Sequence, residues 1–162
     1  MRTLAGAIVW LSAAPQCGTE EEENRVQIYL AARYSRHPEM QLHARRLEKA
    51  GHHITSRWIW GGHEATARDE AAQKCERMQF ALDDIHDLRI SDCIMMFQEA
   101  PRLDNVRGGA FVELGIAIER GLIVIIVGNP GHVFAALPRV EVAPDFEAAE
   151  ALIAKGYTEC LK

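Results

Sequence analysis

Two sets of carboxylates sit where they could do chemistry. Glu113 follows the run Arg107-Gly108-Gly109 and falls in the first turns of a segment of helical composition. There the helix N-terminus favours an ionised carboxylate. A second set, Asp83, Asp84 and Asp87, crowds the late turns of another helical segment, the end at which a helix prefers cations. Either these three form a solvated face or at least one turns into a cleft. Two carboxylates flanking a glycosidic bond, one attacking and one managing the proton, are the usual apparatus for displacement at an anomeric carbon.

Arg57-Trp58-Ile59-Trp60 adds a guanidinium and two indoles, and nucleobases stack on such rings. On a strand, residues two apart share a face, so Trp58 and Trp60 are expected to point the same way. Covering apolar surface or a subunit contact is the competing use for them. His52, His53 and His63 lack metal-binding spacing and read as polar loop residues, so no metal is expected. His86 lies two residues from Asp84, on a different helix face. Cys17, Cys75, Cys93 and Cys160 form no C-x-x-C pair and read as free thiols, with Cys93 in the core.

The elements that must position these residues alternate along the chain. Val26–Ala31 (VQIYLA) is a short β-rich strand, and Pro38 to Ala50 is helical with Gly51 as its stop. Ile54–Ile59 is a second strand, followed by the glycine- and histidine-bearing loop Trp60–Glu64 and a long helix from Ala65 to Leu88. Ile90–Phe97 is the third strand, Gln98–Arg107 a loop, and Gly109–Arg120 a helix stopped by Gly121. Leu122–Val127 (LIVIIV) reads as a parallel strand buried on both faces. Arg139–Val142 is a fifth strand, and Asp145 caps a last helix to Lys155 that ends at Gly156. This rhythm predicts a single α/β domain. Its core is a doubly wound, Rossmann-like or flavodoxin-like sheet of five parallel strands with helices on both faces. Ligands of such sheets lie beyond the carboxyl ends of the strands, at the switch point. The loops after Ala31, Ile59, Phe97 and Val127 should therefore form the site.

Bulk properties restrict the partners. A chain of 162 residues is one domain's worth, and 48% hydrophobic residues supply its core. A net charge of −5 argues against nucleic acid, which demands a basic footprint. Neither G-x-G-x-x-G nor a Walker-type loop is present, so dinucleotide and NTP cofactors drop out and no cofactor is expected. No apolar run reaches the length of a membrane span. Residues 1–25 read as an N-terminal extension before a domain over 26–162. Leu4 to Ala14 has the length of a secretory apolar segment, but the basic region is minimal and Glu20 to Glu23 follow at once. An extra strand or arm at a subunit contact, on a cytoplasmic protein, is the expectation.

The stretch from Ile28 to Gly121 resembles the nucleoside 2-deoxyribosyltransferase superfamily, including its nucleotide-hydrolysing branch. The matching pieces are Ile28-Tyr29-Leu30-Ala31-Ala32-Arg33-Tyr34-Ser35, the pair Asp84 and Asp92, and Gly109-Ala110-Phe111-Val112-Glu113-Leu114-Gly115. The resemblance implies Glu113 as nucleophile on C1′, Tyr29 as the hydroxyl that orients it, and Asp84 as proton manager at the base. Asp92, at the start of a strand, reads as structural. Where nucleoside-using members carry an aspartate for the 5′-hydroxyl, this chain has Arg107, followed by Gly108 and Gly109. A guanidinium beside glycine amides suits a phosphate, and Arg33, Ser35 and Arg36 could add donors.

The reading is an enzyme that cleaves the N-glycosidic bond of a 2′-deoxynucleoside or its 5′-monophosphate and passes the sugar to another base or to water. Glu113, Asp84 and Tyr29 carry the catalysis. Arg33, Tyr34, Ser35, Arg57, Trp58, Trp60, Arg107, Gly108 and Gly109 bind the substrate. The resemblance further implies a homo-oligomer, with the last helix, the tail Tyr157–Lys162 and the N-terminal arm as contact segments. The alternatives are a hydrolase for unusual nucleotide monophosphates and, from another class, a non-catalytic nucleotide sensor.

Overall fold

The computed structural model describes residues 25–98 and 108–159, with side chains to Lys155. Expectations for the N-terminal extension before Arg25, for Arg107 and for the end of the tail lie outside those residues. Five strands form one parallel sheet: β1 (Gln27–Ala31), β2 (His53–Ile54), β3 (Cys93–Phe97), β4 (Ile123–Val127) and β5 (Val140–Ala143). Their order is β2-β1-β3-β4-β5, so the chain switches direction between β1 and β3, where Tyr29 lies opposite Ile94. Four helices connect and flank them: α1 (His37–Lys49), α2 (Glu70–Arg89), α3 (Gly109–Glu119) and α4 (Phe146–Glu159). α1 and α4 lie together, tied by Arg46 to Glu147 at 2.9 Å and to Glu150 at 2.6 Å. α2 and α3 pack against each other.

The strands follow from their residues. β3 is buried throughout and β4 at all but its first position, as continuous apolar runs require in a sheet covered on both faces. α1 ends with Gly51 at φ +96, a left-handed turn that glycine adopts without penalty. Asp145 caps α4 through its carboxylate on the Ala148 amide, 2.9 Å. The helix runs past the expected stop at Gly156 to Glu159, because a helical glycine costs about 1 kcal/mol and does not by itself break the turn.

The second strand is the main departure. Only His53 and Ile54 pair with β1, and Arg57–Trp60 is a turn of 3₁₀ helix. The Ser56 hydroxyl takes the Leu30 amide at 3.0 Å, where a continuing strand would have offered a carbonyl. Trp58 and Trp60 therefore do not share a face. Trp58 is 5% exposed and donates its indole N–H to the Leu30 carbonyl at 2.9 Å, whereas Trp60 is 46% exposed. Asp92 accepts the Gln27 amide at 2.9 Å and so joins β1 to the start of β3. Cys93 is buried, its thiol pushed up to about 12 by desolvation.

Candidate active site

β1 alternates its side chains across the sheet, and Tyr29 is fully buried at its centre. Its hydroxyl donates to Glu113 Oε1 at 2.9 Å. Glu113 stands at the start of the second turn of α3, whose first residue, Gly109, follows β3 across the switch point. Asp84, on α2, faces the same phenol. Three elements distant in sequence thus converge on one hydroxyl.

The electrostatics follow from burial. Glu113 is pushed up to about 7, first by desolvation and then by the charge of Asp84, against the lowering pull of the Tyr29 hydrogen bond. The field of the α3 N-terminus, expected from sequence to keep this carboxylate ionised, is outweighed. Asp84 is also raised, chiefly by burial and further by Asp87 and Asp83, while His63 and the Tyr29 hydroxyl oppose the rise. Burial and the two carboxylates hold the Tyr29 phenol well above its usual range, so it remains a proton donor. The charge of Asp84 raises Glu113, so the proton that Glu113 loses near 7 is the last that the two carboxylates hold.

Beyond the carboxyl ends of β1 and β3 lies a cavity of about 440 Å³, lined by Ala32, Arg33, Tyr34, Ser35, Glu64, Gly109, Ala110 and Glu113. That volume suits a small-molecule ligand. Arg33, Tyr34, Ser35 and Gly109 are thus brought around Glu113, and Gly108 stands at the N-cap of α3. Trp58 lies behind Tyr34, ring centroids 6.3 Å apart. Arg57 is elsewhere. Its backbone N–H and Nε donate to Asp87 at 2.9 and 2.8 Å, and its guanidinium reaches Asp83 at 3.3 Å. Asp87 is only 1% exposed. The half-exposed guanidinium on this buried carboxylate locks the 3₁₀ turn onto α2.

Of the three helix-end aspartates, Asp83 and Asp87 hold Arg57 and Asp84 turns to the site. Sequence reasoning missed His63. Its Nε2 lies 3.6 Å from Asp84 Oδ1, beyond hydrogen-bond length, and its ring stacks on Phe80 at 4.8 Å. Asp84 Oδ1 and both His63 nitrogens are buried with no hydrogen-bond partner within the protein. Judged only against metal spacing, His63 looked inert. The available signal was its place in the Gly61-Gly62-His63-Glu64 loop at the ligand edge of the sheet. Glu64, which lines the cavity, was missed for the same reason.

Among the described residues, no group of three or more His, Cys, Asp or Glu side chains could hold a metal ion. No helix among them is long and apolar enough to cross a membrane.

No protein-family model and no curated protein matches the sequence. Among solved structures, a CMP N-glycosidase, BcmB, from Clostridium botulinum is similar over 77% of this chain and 95% of its own, at 14% identity and a TM-score of 0.47. A 3-dehydroquinate dehydratase-like protein from Bifidobacterium longum is similar over 85% of this chain and 98% of its own, at 10% identity and a TM-score of 0.44. At these values neither likeness bears on substrate or mechanism, which rest on the residues described above.

Proposed function

We propose that the chain is an enzyme cleaving the N-glycosidic bond of a 2′-deoxynucleoside or, preferentially, its 5′-monophosphate, by way of a glycosyl ester on Glu113. The observation that carries this reading is the half-buried carboxylates of Glu113 and Asp84 around the buried Tyr29 hydroxyl, with Glu113 on the wall of the cavity. A binding module has no use for a carboxylate oriented by a buried phenol on a cavity wall, whereas nucleophilic catalysis uses one.

In the reactive form the proton has passed from Glu113 to Asp84 and Glu113 is ionised. Glu113 attacks C1′, the C1′–N bond breaks, and its electron pair stays on the base nitrogen, which takes the proton of Asp84. Tyr29 holds the attacking oxygen in line and gives up its hydrogen bond last. Water or a second base then attacks C1′ and loses a proton to Asp84 as Glu113 leaves, with overall retention. His63, 3.6 Å from Asp84 Oδ1, would close to hydrogen-bond length on substrate binding and orient that carboxylate toward the base. A 5′-phosphate would lie against Arg33, Ser35 and the amides of Gly108 and Gly109, with Arg107, next in sequence, as its counter-charge.

Incubation with deoxynucleosides and their 5′-monophosphates, with and without a second base, tests the reading by chromatography. Base released without an acceptor identifies a hydrolase, and new nucleoside only with an acceptor identifies a transferase. A mass increment on Glu113 of one deoxyribosyl group from a nucleoside, or one 5-phosphodeoxyribosyl group from a monophosphate, absent in Glu113→Ala, is expected in a quenched reaction. Turnover by Glu113→Ala equal to wild type would sink the assignment. Equal use of nucleoside and monophosphate by wild type and Arg107→Ala would remove the phosphate.

A further inference from the structure

One face of α2 carries polar and aromatic groups at helical spacing: Gln73, Glu76, Phe80 and Asp84. Each engages either the preceding loop or the site. Glu76 Oε2 accepts the backbone N–H of Thr66 at 2.8 Å and of Ala67 at 3.1 Å. Gln73 donates its amide to the Ala67 carbonyl at 2.8 Å. Ala67 is therefore held at both its N–H and its C=O by neighbouring turns of one helix. One turn on, Phe80 stacks under His63, and one turn further His63 meets Asp84.

We infer that Glu76, seconded by Gln73, is a positioning residue that clamps the loop from Gly61 to Asp69 onto α2, so that His63 stands beside Asp84 and Glu64 lines the cavity. The inference rests on the function proposed above for its consequences in turnover, but the clamp is a property of the fold. Glu76 touches no substrate. Its bonds go to loop amides that precede the helix, so it is not an N-cap, a role that Asp69 already fills by accepting the Ala72 amide at 2.8 Å. The loop needs such a clamp. It opens with Gly61 and Gly62, both at positive φ, and carries no strand or helix from Gly61 to Asp69. Without an external tether its conformational freedom would blur the placement of His63, and an ångström's misplacement of a catalytic group can cost about a hundredfold in rate.

The test combines kinetics with ¹H–¹³C spectra of the histidine rings, the His63 signal among the chain's seven histidines being assigned with His63→Ala. In wild type the Phe80 ring shifts that signal away from its free value. Glu76→Ala should return it toward the free value and lower kcat by about ten- to a hundredfold, with KM changing less than about threefold. Glu76→Gln, which keeps a carbonyl acceptor for both amides, should restore most of both. Adding Glu76→Ala to His63→Ala should cost little more, because the two act through one group. A His63 signal and kcat unmoved by Glu76→Ala would overturn the inference, as would full additivity with His63→Ala. If Glu76→Ala does not fold, Gln73→Ala carries the same spectral test, and an unmoved His63 signal there overturns the clamp. If the wild type turns over no nucleoside or nucleotide, the proposed function fails while the spectra still decide the clamp.

Discussion

Glu113→Gln should make the protein more stable, by an amount that depends on pH. Burial and Asp84 lift the Glu113 carboxyl from its usual 4.5 to about 7. In that window the folded state binds more protons than the unfolded state, so stability falls as pH rises through it. Below 4.5 the carboxyl is protonated in both states and costs nothing, and above about 7 the full penalty applies. At about 1.4 kcal/mol for each pH unit between the two midpoints, the penalty is below about 1 kcal/mol at pH 5 and about 3 kcal/mol at pH 8. Glutamine has the same shape and its carbonyl still accepts the Tyr29 hydrogen bond, so the substitution removes the charge and little else. Asp84, relieved of a like charge, changes in the same direction. At roughly 2–4 °C per kcal/mol for a chain of this size, the variant should melt about 8 °C above wild type at pH 8 and within a few degrees of it at pH 5. Turnover should meanwhile fall by at least about a thousandfold, as loss of a covalent nucleophile requires. Paired thermal melts across pH 4.5–8.5 provide the measurement. A stability difference that is flat with pH, or a variant less stable at pH 8, would refute the desolvated carboxylate on which the mechanism depends.

Turnover should itself decline above about pH 7, as the carboxylate pair loses its last proton. Tyr29→Phe removes a hydrogen bond that holds Glu113 down, so a kcat/KM profile should show that limb displaced to higher pH and its plateau lowered about ten- to a hundredfold. Asp84→Asn removes both the proton donor and the like charge. Its residual activity should rise with pH through a midpoint below 7, reversing the slope, and a slope unchanged from wild type would exclude Asp84 as the acid. Arg57→Ala strands the buried Asp87 carboxylate and should destabilise the fold by about 2 kcal/mol in urea titrations. At Gly128, φ is +105 and an added Cβ would meet the Gln98 carbonyl oxygen at 2.8 Å. Gly128→Ala should therefore cost about 1–3 kcal/mol in the same assay.

The parts of this molecule that sequence pattern reaches are those where one residue's type decides its surroundings. The apolar run of β4 can only be a buried parallel strand, and Tyr29, Asp84 and Glu113 fall on three successive βα units whose topology brings them to one edge. Where several solutions satisfy the same composition, pattern runs out. Arg57-Trp58-Ile59-Trp60 has the composition of a strand, but the Ser56 hydroxyl takes the place of a strand's carbonyl and turns the chain. That exchange moves Arg57 from the cleft to Asp87 and separates the two tryptophans. The polar face of α2 hides its purpose in a similar way. Asp83, Asp84 and Asp87 are alike in sequence and are told apart only by what lies across from each: the Arg57 guanidinium for two of them, and the Tyr29 phenol with His63 for the third. The loop from Gly61 to Asp69 has no apolar period to read, because backbone bonds to Glu76 and Gln73 hold it in place of a buried stripe. His63 stands beside Asp84 at the Gly61 end of that loop, and no spacing rule along the chain could have placed it there.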